Sequence, residues 1–458
     1  MRIKLDIPIS VYEIAAYLPS IKISAMKAGL IDHISTDTRE LEKGDLFFAL
    51  PGDNFNGEDF IAEAKRKGAH TVGTRLKNAD YCVKNTLSAL SSLANHYKNK
   101  LQIRTTVAIT GSVGKTTTKD MTLGLLSKKY RAHGTYKNYN NEIGVPLTLL
   151  SAKKDTEILV IEAGMNHMGE LEKLSRCIVP DISVITKIGS SHIGNLGSRE
   201  NIAKAKAEIF LGMEKPYALI PYGEKLLDKY SFAKTVSADG SDADFSLSVK
   251  STHPGKTVFD YNSKYNSLRS AEIKASSAHI PECLAFAISV ASMLNMTNDE
   301  LYSSVSTLEL TEKSKVFKIG SLTILDDSYN SSYESVKMAL KTLNLHKEKR
   351  KSAVIGDILE LGNETERIHF ELGKLAAGAG LSKLYVFGKN AEIVKAGAVK
   401  NGMTQDAVFV NVDTDYPETT ANQIINNSSN ETILFKASHN LKLERIIDIL
   451  KVKLSEAN

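Results

Sequence analysis

Apolar and polar positions fall into alternating blocks along this chain. Short β-branched runs, the pattern of strands covered on both faces, recur at Arg104–Ile109, Glu157–Glu162, Asp181–Thr186, Ser321–Asp326, Ser352–Gly356, Lys383–Gly388 and Thr432–Lys436. Between and around them stand segments of helical composition: 87–98, Phe60–Gly68 with its glycine stop, Glu200–Phe210, Ile280–Leu294 with Pro281 in the first turn, Glu334–Leu345, His369–Ala377 and Leu441–Leu454. Alternation this regular predicts an α/β protein built on parallel, doubly wound sheets. Residues 1–99 alternate on a smaller scale, with a strand in Lys43–Gly52 that stops at Pro51-Gly52, and 217–270 read as short β segments broken by Gly and Ser. No internal repeat or low-complexity tract interrupts the pattern.

Length changes the picture first: 458 residues exceed one core and predict two to four domains. A hydrophobic content of 42% and a charged content of 24% are those of an ordinary globular protein. The net charge of +5 is scattered rather than blocked, which gives no support to nucleic-acid binding. No apolar stretch approaches membrane-spanning length and the first residues lack a secretory apolar region, so a cytoplasmic protein without a membrane partner is expected. Cys82, Cys177 and Cys283 stand far apart, predicting reduced structural thiols and no zinc site.

The candidate chemistry starts at the end of the first central strand, Val107-Ala-Ile-Thr-Gly111-Ser112-Val113-Gly114-Lys115-Thr116-Thr117. Glycines at 111 and 114 let backbone N–H groups converge on a phosphate, Lys115 brings a point charge to the β and γ phosphates, and the Thr116 hydroxyl completes a Mg²⁺ shell. Two residues separate the glycines where the general phosphate loop has four. Glu162 ends a buried strand beside this loop, the place for a metal ligand. Asn138, Asn140 and Asn141 sit in a polar, turn-prone cluster that either caps loops or binds a ligand. Taken one at a time, Asp37 and Arg39 read as solvated loop charges, His192 as a hydrogen-bonded loop side chain and Lys206 as an exposed helix lysine.

In order, these segments resemble the Mur ligases nearly end to end. The likeness runs from Thr36-Asp-Thr-Arg39 and Gly44-Asp-Leu-Phe through Thr110-Gly-Ser-Val-Gly-Lys-Thr-Thr and Asn138-Tyr-Asn-Asn-Glu-Ile-Gly144 to Asp326-Asp-Ser-Tyr-Asn330 and Gly356-Asp-Ile-Leu-Glu-Leu-Gly362. Within the family the asparagine and Gly-Asp segments resemble the branch that adds D-alanyl-D-alanine to a UDP-N-acetylmuramoyl tripeptide. The resemblance implies three domains: 1–99 for the uridine nucleotide, 100–312 for ATP and a Rossmann-like 313–458. It implies ATP and Mg²⁺ as cofactors, the UDP-sugar peptide and D-alanyl-D-alanine as small-molecule substrates, and a monomer.

By position, the resemblance places Thr36, Asp37 and Arg39 at the uridine nucleotide, with Asn138, Asn140, Asn141, Lys436 and Ser438 as further substrate contacts. It places Gly111, Ser112, Gly114, Lys115, Thr116, Thr117, Asp326, Tyr329 and Asn330 at ATP. Thr116, Glu162 and His192 match metal ligands, and Lys206 matches a lysine held as a carbamate. Lys115, Glu162, His192 and Lys206 form the implied catalytic set. The implied reaction phosphorylates the tripeptide carboxylate with ATP, and the amine then displaces phosphate from the acyl phosphate.

The chain departs from the family pattern on the base-recognition side. Val113 and Lys187 stand where Asn is usual, His279-Ile-Pro-Glu-Cys283 and Ser331-Ser332-Tyr333 replace asparagine-bearing segments, Ser314 replaces a linker Arg, and Ala437 and His439 flank Ser438. A divergent paralogue with another amine, or a nucleotide-sugar-binding relative that no longer ligates, are the alternatives. The intact phosphate and metal set favours an enzyme. The Asp-Thr-Arg and Asn-Tyr-Asn-Asn segments weigh against a folylpolyglutamate-synthase-like ligase.

Overall fold

The computed structural model describes the chain apart from residues 20, 24–28, 53–54, 216, 254, 311–314, 347, 349, 413–415 and 456–458. The 312/313 domain boundary and Ser314 lie outside the described residues. Three sheets follow one another along the chain. The first has six strands, in the order Arg2–Ser10, Leu30–Ser35, Leu46–Phe48, His70–Gly73, Tyr81–Cys82 and Lys22–Ile23. The second has nine, running from Ser267–Ile273 through Lys256–Ser263, Phe245–His253, Lys234–Ser237, Tyr217–Pro221, Ile182–Ile185, Thr105–Thr110 and Ile158–Glu162 to Ala132–Gly134. The third orders Lys315–Ile319, Leu322–Asp326, Thr432–Lys436, Lys351–Gly356, Lys383–Phe387 and Val408–Asn411.

The sheets are mixed rather than purely parallel, which corrects the sequence expectation. Each has a parallel centre and an antiparallel margin: Arg2–Ser10 and Lys22–Ile23 in the first, the meander Phe245–Ile273 in the second, Lys315–Ile319 in the third. The cause is local. Ile319 and Leu322 pair directly across a tight turn at Gly320, which has φ +55°, and so short a connection joins only antiparallel strands; parallel neighbours need a crossover.

Helix positions follow the predicted segments with shifted ends, as at Thr86–Lys100, Ile280–Met293, Tyr333–Asn344, Thr365–Gly378 and Glu444–Ser455. Two predicted helices begin or end in tighter 3₁₀ turns, at Gly57–Phe60 ahead of Ile61–Arg66 and at Glu208–Phe210 after Arg199–Ala207. In the second sheet the strand Thr105–Thr110 lies between Ile158–Glu162 and Ile182–Ile185, and the chain winds outward on both sides of it. The carboxyl ends of Thr105–Thr110 and Ile182–Ile185 therefore border the crevice in which open α/β sheets bind ligands. Among the described residues, no helix is long and apolar enough to cross a membrane.

Candidate active site

The loop after Thr105–Thr110 is shaped by close approach. A Cβ at Gly111 would sit 1.9 Å from Thr186 Oγ1, so no other residue fits without displacing that hydroxyl. Thr186 donates to the Val113 carbonyl at 2.6 Å, and the Ser112 N–H donates to the Lys187 carbonyl at 2.8 Å. The loop is thereby tied to the end of the neighbouring strand. Gly114, at φ +84°, begins the helix Lys115–Leu126 with no side-chain cap. The N–H groups of that first turn face an anion site by default. Lys115 Nζ folds back to donate to the Gly111 carbonyl at 2.8 Å, inside the turn it would share with a phosphate.

Across a cavity of about 510 Å³ from this loop stand Glu162 and His192. Glu162, 2% exposed, accepts from Asn140 Nδ2 at 2.7 Å through Oε1, while its Oε2 is buried without a hydrogen-bond partner among the described residues. A buried carboxylate oxygen left open is costly unless something cationic meets it. His192 has φ +64°, and its Nδ1 lies 2.7 Å from Glu360 Oε2. A carboxylate partner favours Nδ1 as the donor, which in the neutral ring leaves the lone pair on Nε2. Burial pushes the His192 pKa down, with Lys206 and Lys115 adding to the fall against the opposing pull of Glu360. Lys206 is 1% exposed, which corrects its reading as a surface lysine; it does not line the cavity, but its charge acts on His192. Its amine is driven well below the ordinary lysine range by burial first and by the charge of Lys115 second.

The third sheet closes the other side of the cavity. Lys436, 3% exposed, pairs with Asp327 at 2.7 Å and donates to the carbonyls of Asp327 at 3.2 Å and Asn330 at 2.9 Å, pinning the turn that holds Tyr329. Tyr329 lies 5.7 Å from the His439 ring, centroid to centroid, and Ser438 accepts from the Leu359 N–H at 3.1 Å. Asp326 turns away, accepting from the Ser328 N–H at 3.1 Å and hydroxyl at 2.6 Å; the carboxylate that faces the cavities is Asp327.

A smaller slot of about 170 Å³ runs off the phosphate loop between Val113, Ile280, Cys283, Phe286 and Met338. Val113, Ile280 and Cys283 put apolar side chains and a thiol on its wall where the family pattern has amides, beside polar lining from His279, Glu282 and Asp327. Burial pushes the Cys283 thiol up to about 12, so it lines the slot as a neutral group. At the rim Lys187 and Glu282 pair at 3.0 Å.

Beyond Lys206 and Asp326, sequence reasoning and structure part at Asn141 and at three acidic residues, while the first-domain residues stand apart from both cavities. Asn138 and Asn140 line the larger cavity, whereas Asn141 accepts from the Ile143 and Gly144 N–H groups at 3.2 and 2.9 Å and so starts the helix Gly144–Leu150. Thr36, Asp37 and Arg39 lie in the first domain and line neither cavity. Arg39 grips Asp37 and holds its carboxyl down at about 2. Asp327, Glu334 and Glu360 join the site without having been singled out. The only sequence signal for Glu360 is its place inside Gly356-Asp-Ile-Leu-Glu-Leu-Gly362.

Comparison with known proteins gives three consecutive matches to family models. They are Mur ligase family, catalytic domain, over residues 30–98; Mur ligase middle domain over 109–298; and Mur ligase, glutamate ligase domain, over 313–439. A UDP-N-acetylmuramoyl-tripeptide–D-alanyl-D-alanine ligase of Bacillus subtilis is 35% identical over 439 residues, covering 93% of this chain and 94% of the relative. The crystal structure of a MurF ligase from Thermotoga maritima in complex with ADP superposes with a TM-score of 0.81 at 27% identity, covering 93% of this chain and 98% of that one. A MurF structure from Acinetobacter baumannii gives a TM-score of 0.87 at 24% identity over 98% of this chain and 100% of that one, a likeness of fold.

Proposed function

The chain belongs to the Mur ligase family, and from that premise we propose that it is an ADP-forming ligase that uses ATP to join D-alanyl-D-alanine to a UDP-N-acetylmuramoyl tripeptide in peptidoglycan precursor synthesis. The observation that carries this reading is the meeting, in one cavity, of an uncapped helix N-terminus with its lysine and a buried carboxylate oxygen that finds no hydrogen-bond partner among the described residues. The D-alanyl-D-alanine assignment is supported by the relative's own activity and by the Asn138–Gly144 and Gly356–Gly362 segments.

In this reading Gly111, Ser112, Gly114, Lys115, Thr116 and Thr117 hold the phosphates, with the first-turn N–H groups and Lys115 drawing charge from the transferring phosphoryl group. Thr116, Glu162, His192 and a carbamylated Lys206 would hold Mg²⁺. The donor set fits: Glu162 Oε2 has no partner among the described residues and Nε2 of His192 keeps a lone pair. Burial and the charge of Lys115 favour the neutral form of the Lys206 amine, the form that adds carbon dioxide and, on losing a proton, becomes an anionic carbamate. When bound, Mg²⁺ supplies Lewis-acid stabilisation of the phosphoryl oxygens.

A carboxylate is a poor acyl donor, so the tripeptide carboxylate attacks the γ-phosphorus and ADP leaves. The dipeptide amine adds to the acyl phosphate, loses its proton, and phosphate departs from the tetrahedral adduct. Asp326, Tyr329 and Asn330 close over the nucleotide, its base in the apolar slot. Asp326 does so through the turn it caps. Thr36, Asp37 and Arg39 bind the uridine nucleotide, and Asn138, Asn140, Lys436 and Ser438 bind substrate, with Asn141 shaping that loop from its helix cap. We assign the domains as 1–99, 100–312 and 313–458 and read the protein as a cytoplasmic monomer.

The test is ADP release from ATP with the UDP-N-acetylmuramoyl tripeptide and a panel of amines. Release that requires both the tripeptide and D-alanyl-D-alanine is expected. ADP release that is indifferent to D-alanyl-D-alanine, or none with any amine despite UDP-sugar binding, would overturn it.

A further inference from the structure

A six-residue stretch of the central domain, 189–194, donates four hydrogen bonds to two acidic residues of the third domain. Glu334, the second residue of the helix Tyr333–Asn344, accepts from the Ser190 N–H at 2.8 Å and the Ser190 hydroxyl at 3.0 Å. Glu360 accepts from His192 through Oε2 at 2.7 Å and from the Gly194 N–H through its backbone carbonyl at 2.9 Å. The fit leaves no room for side chains: a Cβ at Gly189 would lie 2.7 Å from Glu334 Cδ, and one at Gly194 would lie 2.6 Å from the Glu360 carbonyl oxygen. The same stretch is held from the other side by the phosphate loop, where Gly189 N–H donates to Ser112 Oγ at 2.9 Å and the Ser191 hydroxyl to the Ser112 carbonyl at 3.2 Å.

We propose that Glu334 and Glu360 are positioning residues, a two-carboxylate latch by which the third domain, when closed, fixes the 189–194 loop and with it the ring orientation and tautomer of His192. The inference rests on the ligase reading. Its physical content is that His192 receives its orienting acceptor from a different domain, 168 positions away, so the imidazole is set only in the closed arrangement. Charge-assisted bonds to Ser190 supply the second point of contact, and Ser112 makes the latch and the phosphate loop share one backbone segment.

The experiment uses the full chain, wild type and the variants Glu334→Ala, Glu360→Gln and the double substitution, with three readouts. Thermal unfolding is expected to stay within a few degrees of wild type, because both carboxylates lie at a domain surface. The label-to-label distance between the central and third domains, measured with a non-hydrolysable ATP analogue and Mg²⁺, is expected to shift towards open, by about tenfold in the open–closed ratio for each variant. With the UDP-N-acetylmuramoyl tripeptide and D-alanyl-D-alanine, kcat is expected to fall about tenfold with little change in KM for ATP. ADP formed per amide bond should rise above the wild-type ratio, since an unlatched domain admits water to the acyl phosphate.

Unchanged closure and an unchanged ratio in the double variant would overturn the latch. A merely structural role would lower melting temperature and kcat together and leave the ratio alone, which also overturns it. A wild-type protein inert with these substrates would instead overturn the ligase reading, and the distance measurement would still decide the latch.

Discussion

The two ends of the nucleotide crevice are built on opposite terms. At the phosphate end the groups are polar and incompletely satisfied: an uncapped helix, a carboxylate oxygen without a partner among the described residues, and two lysines that repel each other. At the base end the surface is more apolar, with a neutral thiol, the side chains of Val113, Ile280, Phe286 and Met338, and an ion pair closed on itself at the rim. Unmet electrostatic demand marks where chemistry is done, because a preorganised charge site is strained until its ligand arrives. Satisfied packing marks where a ligand is merely held.

The contrast is broken or sharpened by four substitutions or titrations, the strongest first. Lys115→Ala is expected to lower kcat by more than about a thousandfold with an unchanged melting temperature; residual turnover near wild type in a coupled ADP assay would remove the phosphate end from the argument. Glu162→Gln keeps the Asn140 bond but removes the anion. It is expected to cost about a hundredfold in kcat at saturating Mg²⁺ while leaving the protein as stable or slightly more so, read by thermal unfolding.

The pH profile comes next. Burial lowers the His192 pKa below 6.5, so the neutral imidazole persists as pH falls through 6.5. The acid limb of kcat/KM should therefore lie below that value, dropping about tenfold per pH unit only beyond it. An acid limb above 6.5 that disappears in His192→Gln would show that Glu360 wins over burial. At the base end Cys283→Ala should change KM for ATP by less than about fivefold and leave kcat alone. A larger loss would mean that the thiol does more than fill space.

How much of this was legible depended on range. The phosphate loop and Glu162 follow from strand ends and glycine spacing, local features that sequence displays directly. His192 and Lys206 stood out only through the order of motifs, because the features that set them apart, a carboxylate contact from another domain and burial of a helix lysine, exist only after folding. Asp326 and Asp327 are adjacent in a strand-to-turn transition, and which of them faces the crevice is settled by the Ser328 cap on one and the Lys436 pair on the other. The antiparallel margin of the third sheet left almost no trace in periodicity, because a two-residue turn at Gly320 joins its strands. The helix Gly144–Leu150 begins Gly-Val-Pro, which reads as a turn; Pro146 sits in the first helical turn, where no backbone donor is needed.

The Gly362 α-carbon marks a place where two backbones nearly touch: a Cβ built there would come within 2.9 Å of the Gly194 α-carbon. At such a seam a single methyl group is a wedge, thick enough to keep two rigid bodies ajar while altering no charge, no donor and no acceptor on either of them.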